Sequence, residues 1–212
     1  MSTQPPNSIL LLIDIQDGLT HPTHWGPSRS NPSFEKNTAQ LLESYRKLVS
    51  STKPSPSGSS SPHKVIHVGH SSTSATSPLR PELPGHRFQD FALPKDDETV
   101  LFKNVNSAFI GTDLEKIIRQ HRTKKLWVVG LTTDHCVSTT VRMAGNLGVC
   151  NHDDDTGEKG EVILIGDATA AWKKTEGGWD AETVHAVHLE SLTEFATVAK
   201  TEDVLALWKS WM

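Results

Sequence analysis

The sequence has only two cysteines, Cys136 and Cys150, in 212 residues. So few exclude a framework of disulfide bridges and suit a reducing compartment, which makes a cytoplasmic location the expectation. There is no basic block of the kind that grips nucleic acid and no acidic tail; a net charge of −4 is spread along the chain. There is no internal repeat. No apolar run is long enough to span a bilayer. The first hydrophobic stretch, "SILLLIDI" (8–15), is short, follows prolines and lacks a basic flank, so it reads as a strand and not as a signal peptide or membrane anchor. Apolar residues are also scarce, at 35%. Two polar stretches explain part of that deficit: a Ser/Pro-rich insertion at 50–63 and an acidic, glycine-containing loop at 151–161. What remains suffices for one domain over 1–212 whose partner is a small molecule, not nucleic acid or a membrane.

What is present alternates. Short, largely apolar runs at 8–15, 64–70, 99–103, 124–130 and 162–172 have the pattern of parallel strands buried on both faces. Helical spacing appears between them. Residues 31–50 place Phe34, Leu41, Leu42, Tyr45, Leu48 and Val49 on one side; residues 111–122 open at Thr112 or Asp113; residues 134–148 close at Gly148. The last segment reads as a helix, a short edge strand around "FATVA" and a final helix. This alternation predicts an α/β fold, a parallel sheet with helices on both faces. In such sheets the site lies outside the carboxyl ends of the strands.

Three reactive residues fall at those ends. Asp14 ends the first strand, Lys103 ends the third, and Cys136 stands just past the fourth at a helix start. Alone, each has an ordinary reading: a loop-fixing carboxylate, a solvated ammonium, a small core residue. Together they make a chemistry. A helix N-terminus and a nearby ammonium lower a thiol's pKa, and the thiolate is the nucleophile. A carboxylate within reach takes the thiol proton and later returns it to a leaving amine. The turn "GLTTDHC" offers backbone donors for an oxyanion.

The blocks "LLLIDIQDG", "FKNVNSAFIGTDL" and "VVGLTTDHCVSTTVRMAGNLG", with "DATAAW" and "HLESLTEFATV" after them, resemble the hallmark motifs of the isochorismatase-like cysteine hydrolases. The resemblance covers nearly the whole chain. That superfamily includes nicotinamidases, N-carbamoylsarcosine amidase, ureidoacrylate and biuret hydrolases, and isochorismatases. It implies a three-layer α-β-α sandwich, Rossmann-like, around a mostly parallel sheet of about six strands. It implies a triad of Asp14 as base and acid, Lys103 as electrostatic partner and Cys136 as nucleophile. It also implies a cis peptide bond between Leu131 and Thr132, turning the amides of Thr132 and Cys136 toward the oxyanion. No cofactor is implied. A homo-oligomer, dimer or tetramer, is; the C-terminal "LALWKSWM" is either one of its contacts or simply packs on the domain.

The sequence departs from the metal-binding nicotinamidases, which carry an Asp-x-His pair after strand two. Here that place reads "HVGHSSTSATSP", without the Asp. His67 and His70 are three apart, so on a regular strand they face opposite sides and cannot share a metal. His86 completes no ligand set of normal spacing, so no metal is expected. The block "SAFIGTDL" looks more like isochorismatases, yet those lack the cysteine. Retention of Cys136 favours cleavage of a small amide or ureido C–N bond through a thioester. The alternatives are vinyl-ether hydrolysis with Cys136 a bystander, or an idle member that only binds a metabolite. Substrate-binding candidates are Gln16, Trp25, His70, Arg80, Ser107 and Phe109, with Leu131, Thr133 and His135 flanking the nucleophile. Arg80 either clamps a substrate carboxylate or makes a loop salt bridge. Trp25 either stacks on a planar substrate or lines an interface. Asp167 reads as structural and Cys150 as inert.

Overall fold

Six strands build one sheet: β1 (Ser8–Ile13), β2 (His63–His70), β3 (Thr99–Lys103), β4 (Lys125–Leu131), β5 (Glu161–Ala170) and β6 (Thr197–Ala199). Their order is β3-β2-β1-β4-β5-β6, and every neighbouring pair is parallel. The computed structural model describes residues 5–52, 61–152 and 159–212; most of the Ser/Pro-rich insertion and of the acidic loop lies outside the described residues. Five α-helices cover the sheet: α1 (Phe34–Ser51), α2 (Leu114–Gln120), α3 (Ser138–Leu147), α4 (Ala181–Leu192) and α5 (Thr201–Trp211). Among the described residues no helix is long and apolar enough to cross a membrane.

β1 shows why the sheet sits in the middle. All six of its residues are buried. Side chains alternate, so Leu10 and Leu12 enter a core with α1 and α5, while Ile9, Leu11 and Ile13 enter a second core with α2, α3 and α4. Each such side chain contributes roughly 1.5–3 kcal/mol by leaving water. The first core closes around α5: Trp208 is fully buried, with its ring centroid 4.8 Å from Tyr45 and 5.4 Å from Trp127. Trp211 stacks on His63 at 6.0 Å. The C-terminal tryptophans therefore pack on their own domain, the second of the two readings above.

The connectivity opens the site. From β1 the chain moves outward through β2 to β3, then returns to lay β4 against the other side of β1. Connections on either side of this switch point diverge and leave a crevice at the carboxyl ends. β1 stops at Ile13, two residues short of the expected end, because Asp14 turns out of the strand at φ +52°. Its neighbour Gly130 takes φ +126°, and a Cβ there would lie 2.1 Å from the Ile13 carbonyl oxygen. Only glycine lets β4 pass this close to β1 beside Asp14.

The helix expected over 134–148 is instead a π-helical turn, Thr133–Val137, followed by α3. Gly148 closes α3 in the left-handed conformation, as its position in the sequence suggests. On the opposite side of β1, Glu98 ties three elements together. It accepts hydrogen bonds from Arg46 of α1 at 2.7 Å, from the backbone N–H of Lys95 at 2.9 Å, and is paired with His67 of β2 at 2.8 Å.

Trp208→Ala is expected to cost about 3–5 kcal/mol, because it empties the centre of the first core; urea unfolding would measure it. Burial alone raises the Glu98 carboxyl, but the hydrogen bonds from Arg46, His67 and Lys95 outweigh it and hold the pKa near about 2. A depressed carboxylate stabilises the fold above its ordinary value of 4.5 and loses that contribution as pH falls through about 2. Glu98→Gln should flatten the acid limb of the stability profile over that window and leave no slope attributable to this site.

Candidate active site

The parallel sheet brings the ends of β1, β2 and β3 side by side. His70 and Lys103 are register partners at the ends of β2 and β3, and Asp14 directly follows β1. Lys103 is buried, and its ammonium meets three groups. Nζ donates to Asp14 Oδ2 at 2.6 Å and to Cys136 Sγ at 3.3 Å, and lies 3.2 Å from His70 Nδ1. An ammonium has only donors, so Nδ1 of His70 must accept and the ring proton resides on Nε2. Burial, reinforced by the Lys103 charge, lowers the His70 pKa and keeps the ring neutral. Asp14 is 2% exposed, and its Oδ1 has no hydrogen-bond partner among the described residues. A buried carboxylate oxygen left open in this way is an acceptor waiting for a proton donor.

Ligand atoms of Asp14, His70 and Cys136 all lie within 4.8 Å of one another, close enough together to share one cation. Lys103 Nζ already sits within 2.6–3.3 Å of all three, so the ammonium takes the position and the charge of a metal ion there. The donor set does not suit a metal while that lysine is charged. His67 is engaged with Glu98 on the far side of the strand.

Cys136 differs from the sequence expectation in its electrostatics. Burial pushes the thiol up strongly, the Asp14 carboxylate adds to this, and Lys103 opposes it only in part. The π-helical turn explains why a helix start does not compensate: the N–H groups of His135 and Val137 both bond to the Thr132 carbonyl, at 3.0 and 3.3 Å. The resting side chain is a thiol beside a carboxylate, not a preformed thiolate. The turn itself is held from behind. Thr133 Oγ1 lies 2.8 Å from His185 Nδ1 of α4, and Lys174, after β5, forms an ion pair with Asp134. The Leu131–Thr132 peptide bond is cis.

A cavity of about 270 Å³ opens above these groups. Asp14, Leu131, Thr132 and Cys136 line it, together with Trp25, His70 and His135. The long irregular loop after β2 covers it with Ser72, Ser74, Thr76, Ser77 and Leu79. Five expected binding residues are elsewhere. Gln16 is buried beneath, clamping loops through the His70 backbone and the His86 carbonyl. Arg80 pairs with Glu82 and donates to the Ala75 carbonyl, the salt-bridge reading of that residue. The buried Ser107 accepts from the Phe109 N–H, Phe109 packs against the second core, and Thr133 is bound to His185. Trp25 keeps its indole N–H on the Gly18 carbonyl at 2.7 Å, with His24 edge-on at 4.6 Å. His24, Leu19 and Asn106 also line the cavity and were not expected. His24 lies in the same "THWG" segment as Trp25, which was the available signal; Asn106 and the loop hydroxyls sit in irregular chain that no periodicity places.

Asp14→Asn should lower the Cys136 pKa, because the carboxylate that raises it is gone. Alkylation of Cys136 by iodoacetamide, followed by peptide mass spectrometry, is expected to reach its half-maximal rate at lower pH than in the wild type. Cys150, 3% exposed and pushed up to about 12 by burial, should remain unmodified in both.

Comparison with known proteins agrees with this architecture. The family model described as "Isochorismatase domain" matches residues 8–203. The isochorismatase family protein YrdC of Bacillus subtilis is 33% identical over 200 residues, covering 92% of this chain and 93% of its own. A crystal structure of a hydrolase of the isochorismatase family from Chromobacterium violaceum is 35% identical, covers 99% of both chains and superposes with a TM-score of 0.78. A cysteine hydrolase from Pseudomonas syringae pv. phaseolicola shares the fold at a TM-score of 0.74, with 19% identity and full coverage of both chains. With its six parallel strands and its strand-end site, this chain belongs to the isochorismatase family of hydrolases.

Proposed function

We propose that this protein is a cysteine hydrolase that cleaves a small amide or ureido C–N bond without a metal, through a thioester on Cys136. The observation that carries the reading is the contact set of Lys103, whose ammonium bonds Asp14 Oδ2 and Cys136 Sγ and leaves Asp14 Oδ1 open. Asp14 Oδ1 takes the thiol proton as Sγ attacks the substrate carbonyl carbon. The C=O electron pair moves to oxygen, and the amides of Thr132 and Cys136 receive the oxyanion. Collapse breaks the C–N bond, and Asp14 returns the proton to the departing amine. Water then attacks the thioester with Asp14 again as base, releasing the acid and restoring the thiol. Lys103 balances the charge of Asp14 throughout. A raised thiol pKa suits this sequence, since proton and attack move together and the free thiol stays unreactive between turnovers. The nucleophile must be kept reduced, which is why we assign the protein to the cytoplasm.

A second reading, vinyl-ether hydrolysis with Asp14 acting alone, is favoured by the matching family model. Cys136→Ala separates the two. For acyl transfer it should lower kcat by at least ~10³. Intact-protein mass spectrometry of the wild type, quenched during turnover of a panel of small amides and ureido acids, should show an acyl adduct that the variant lacks. Full isochorismate turnover by the variant, with no adduct on the wild type, would instead establish the vinyl-ether reading.

A further inference from the structure

Among the described residues, four cationic side chains from segments around the cavity are matched by acids. Lys103 Nζ lies 2.6 Å from Asp14, Lys174 pairs with Asp134, Arg80 with Glu82, and Arg87 with Asp17 and Asp90. Among the described residues no arginine or lysine side chain lines the cavity wall. Beside apolar side chains and His24, the wall presents uncharged polar residues: Ser72, Ser74, Thr76, Ser77 and Asn106. Burial holds the imidazoles of His70 and His135 below the ordinary histidine range, with Lys103 and Lys174 acting in the same direction. On the cavity floor Asp14 Oδ1 is a buried carboxylate oxygen with no hydrogen-bond partner among the described residues, and it accepts hydrogen bonds and repels anions.

We infer that the cavity selects an uncharged carboxamide and rejects a substrate bearing a carboxylate. A carboxamide offers N–H to Asp14 Oδ1, and its remaining polar groups meet the hydroxyl wall. An anion in the same place would approach Asp14 Oδ1, with no arginine or lysine of the described cavity wall to balance it. The volume of about 270 Å³ limits the ligand to a small molecule. The inference rests on the reading of this cavity as the active site. It also bears on the vinyl-ether alternative, because isochorismate is a dicarboxylate.

The test uses isosteric pairs that differ in charge: malonamide against malonamate, and 4-nitrobenzamide against 4-carboxybenzamide. Binding to Cys136→Ala, measured by calorimetry or ligand-observed NMR, separates recognition from chemistry. The uncharged member should bind at least about tenfold more tightly in each pair. In Asp14→Asn/Cys136→Ala the preference should vanish or reverse, because the repelling charge is gone and Lys103 is unmatched. Equal or tighter binding of the carboxylates to Cys136→Ala, or no binding of either member, would overturn the inference. Turnover and adduct formation by the wild type keep the two ideas apart. An adduct formed preferentially from the carboxylates would sink the charge selection and leave the acyl-enzyme reading standing. Selective binding of the uncharged members with no adduct would do the reverse.

Discussion

The ion pair between Lys103 and Asp14 is the interaction on which the site depends. Both side chains are buried, and the two charges come from strands that are not neighbours: β2 lies between β1 and β3. Bringing them together removes two ions from water, and only close contact with good hydrogen bonding offsets that cost. The contact is 2.6 Å, and the same ammonium also reaches His70 and Cys136. Loss of either partner would leave an unmatched buried charge, so the pair constrains how β1, β2 and β3 align at their carboxyl ends.

That constraint also sets the state of the cysteine. An ammonium alone would favour the thiolate, while a carboxylate alone would suppress it. Here both act within a few ångströms, and burial decides the balance in favour of the thiol. On the proposed function, the consequence is a nucleophile that is armed by proton transfer within the site and not by a standing charge. The π-helical turn contributes geometry: it projects Cys136 over Asp14, and contacts from α4 and from the chain after β5 brace it. Four strands and two flanking segments thus converge on one thiol.

Much of this was legible in one dimension. Continuous apolar runs foretell strands buried on both faces because a parallel sheet in a three-layer sandwich has no wet face, and β1 is the clearest case. Asp14, Lys103 and Cys136 could be singled out because strand ends in such sheets point into the crevice. The opposite orientation of His67 and His70 follows from strand alternation, and the two do diverge, one to Glu98 and the other to Lys103.

The rest was decided only in three dimensions. Gln16, Ser107, Phe109 and Thr133 lie near Asp14, Lys103 and Cys136 in sequence and Arg80 on the loop after β2, but each is drawn away by a partner that no local pattern announces: two backbone carbonyls, a backbone N–H, the second core, His185 and Glu82. Trp208 and Trp211 turn inward because Tyr45, Trp127 and His63 receive them, and these come from α1, β4 and β2. The protonation of Cys136 and the cover that the serine-rich loop lays over it depend on distances between segments far apart in the chain. The sequence by itself determined the fold class and the strand-end placement of Asp14, Lys103 and Cys136, because periodicity and strand-end position are local. The tertiary structure decided the cavity wall and its charge balance, because burial and pairing are properties of neighbours in space.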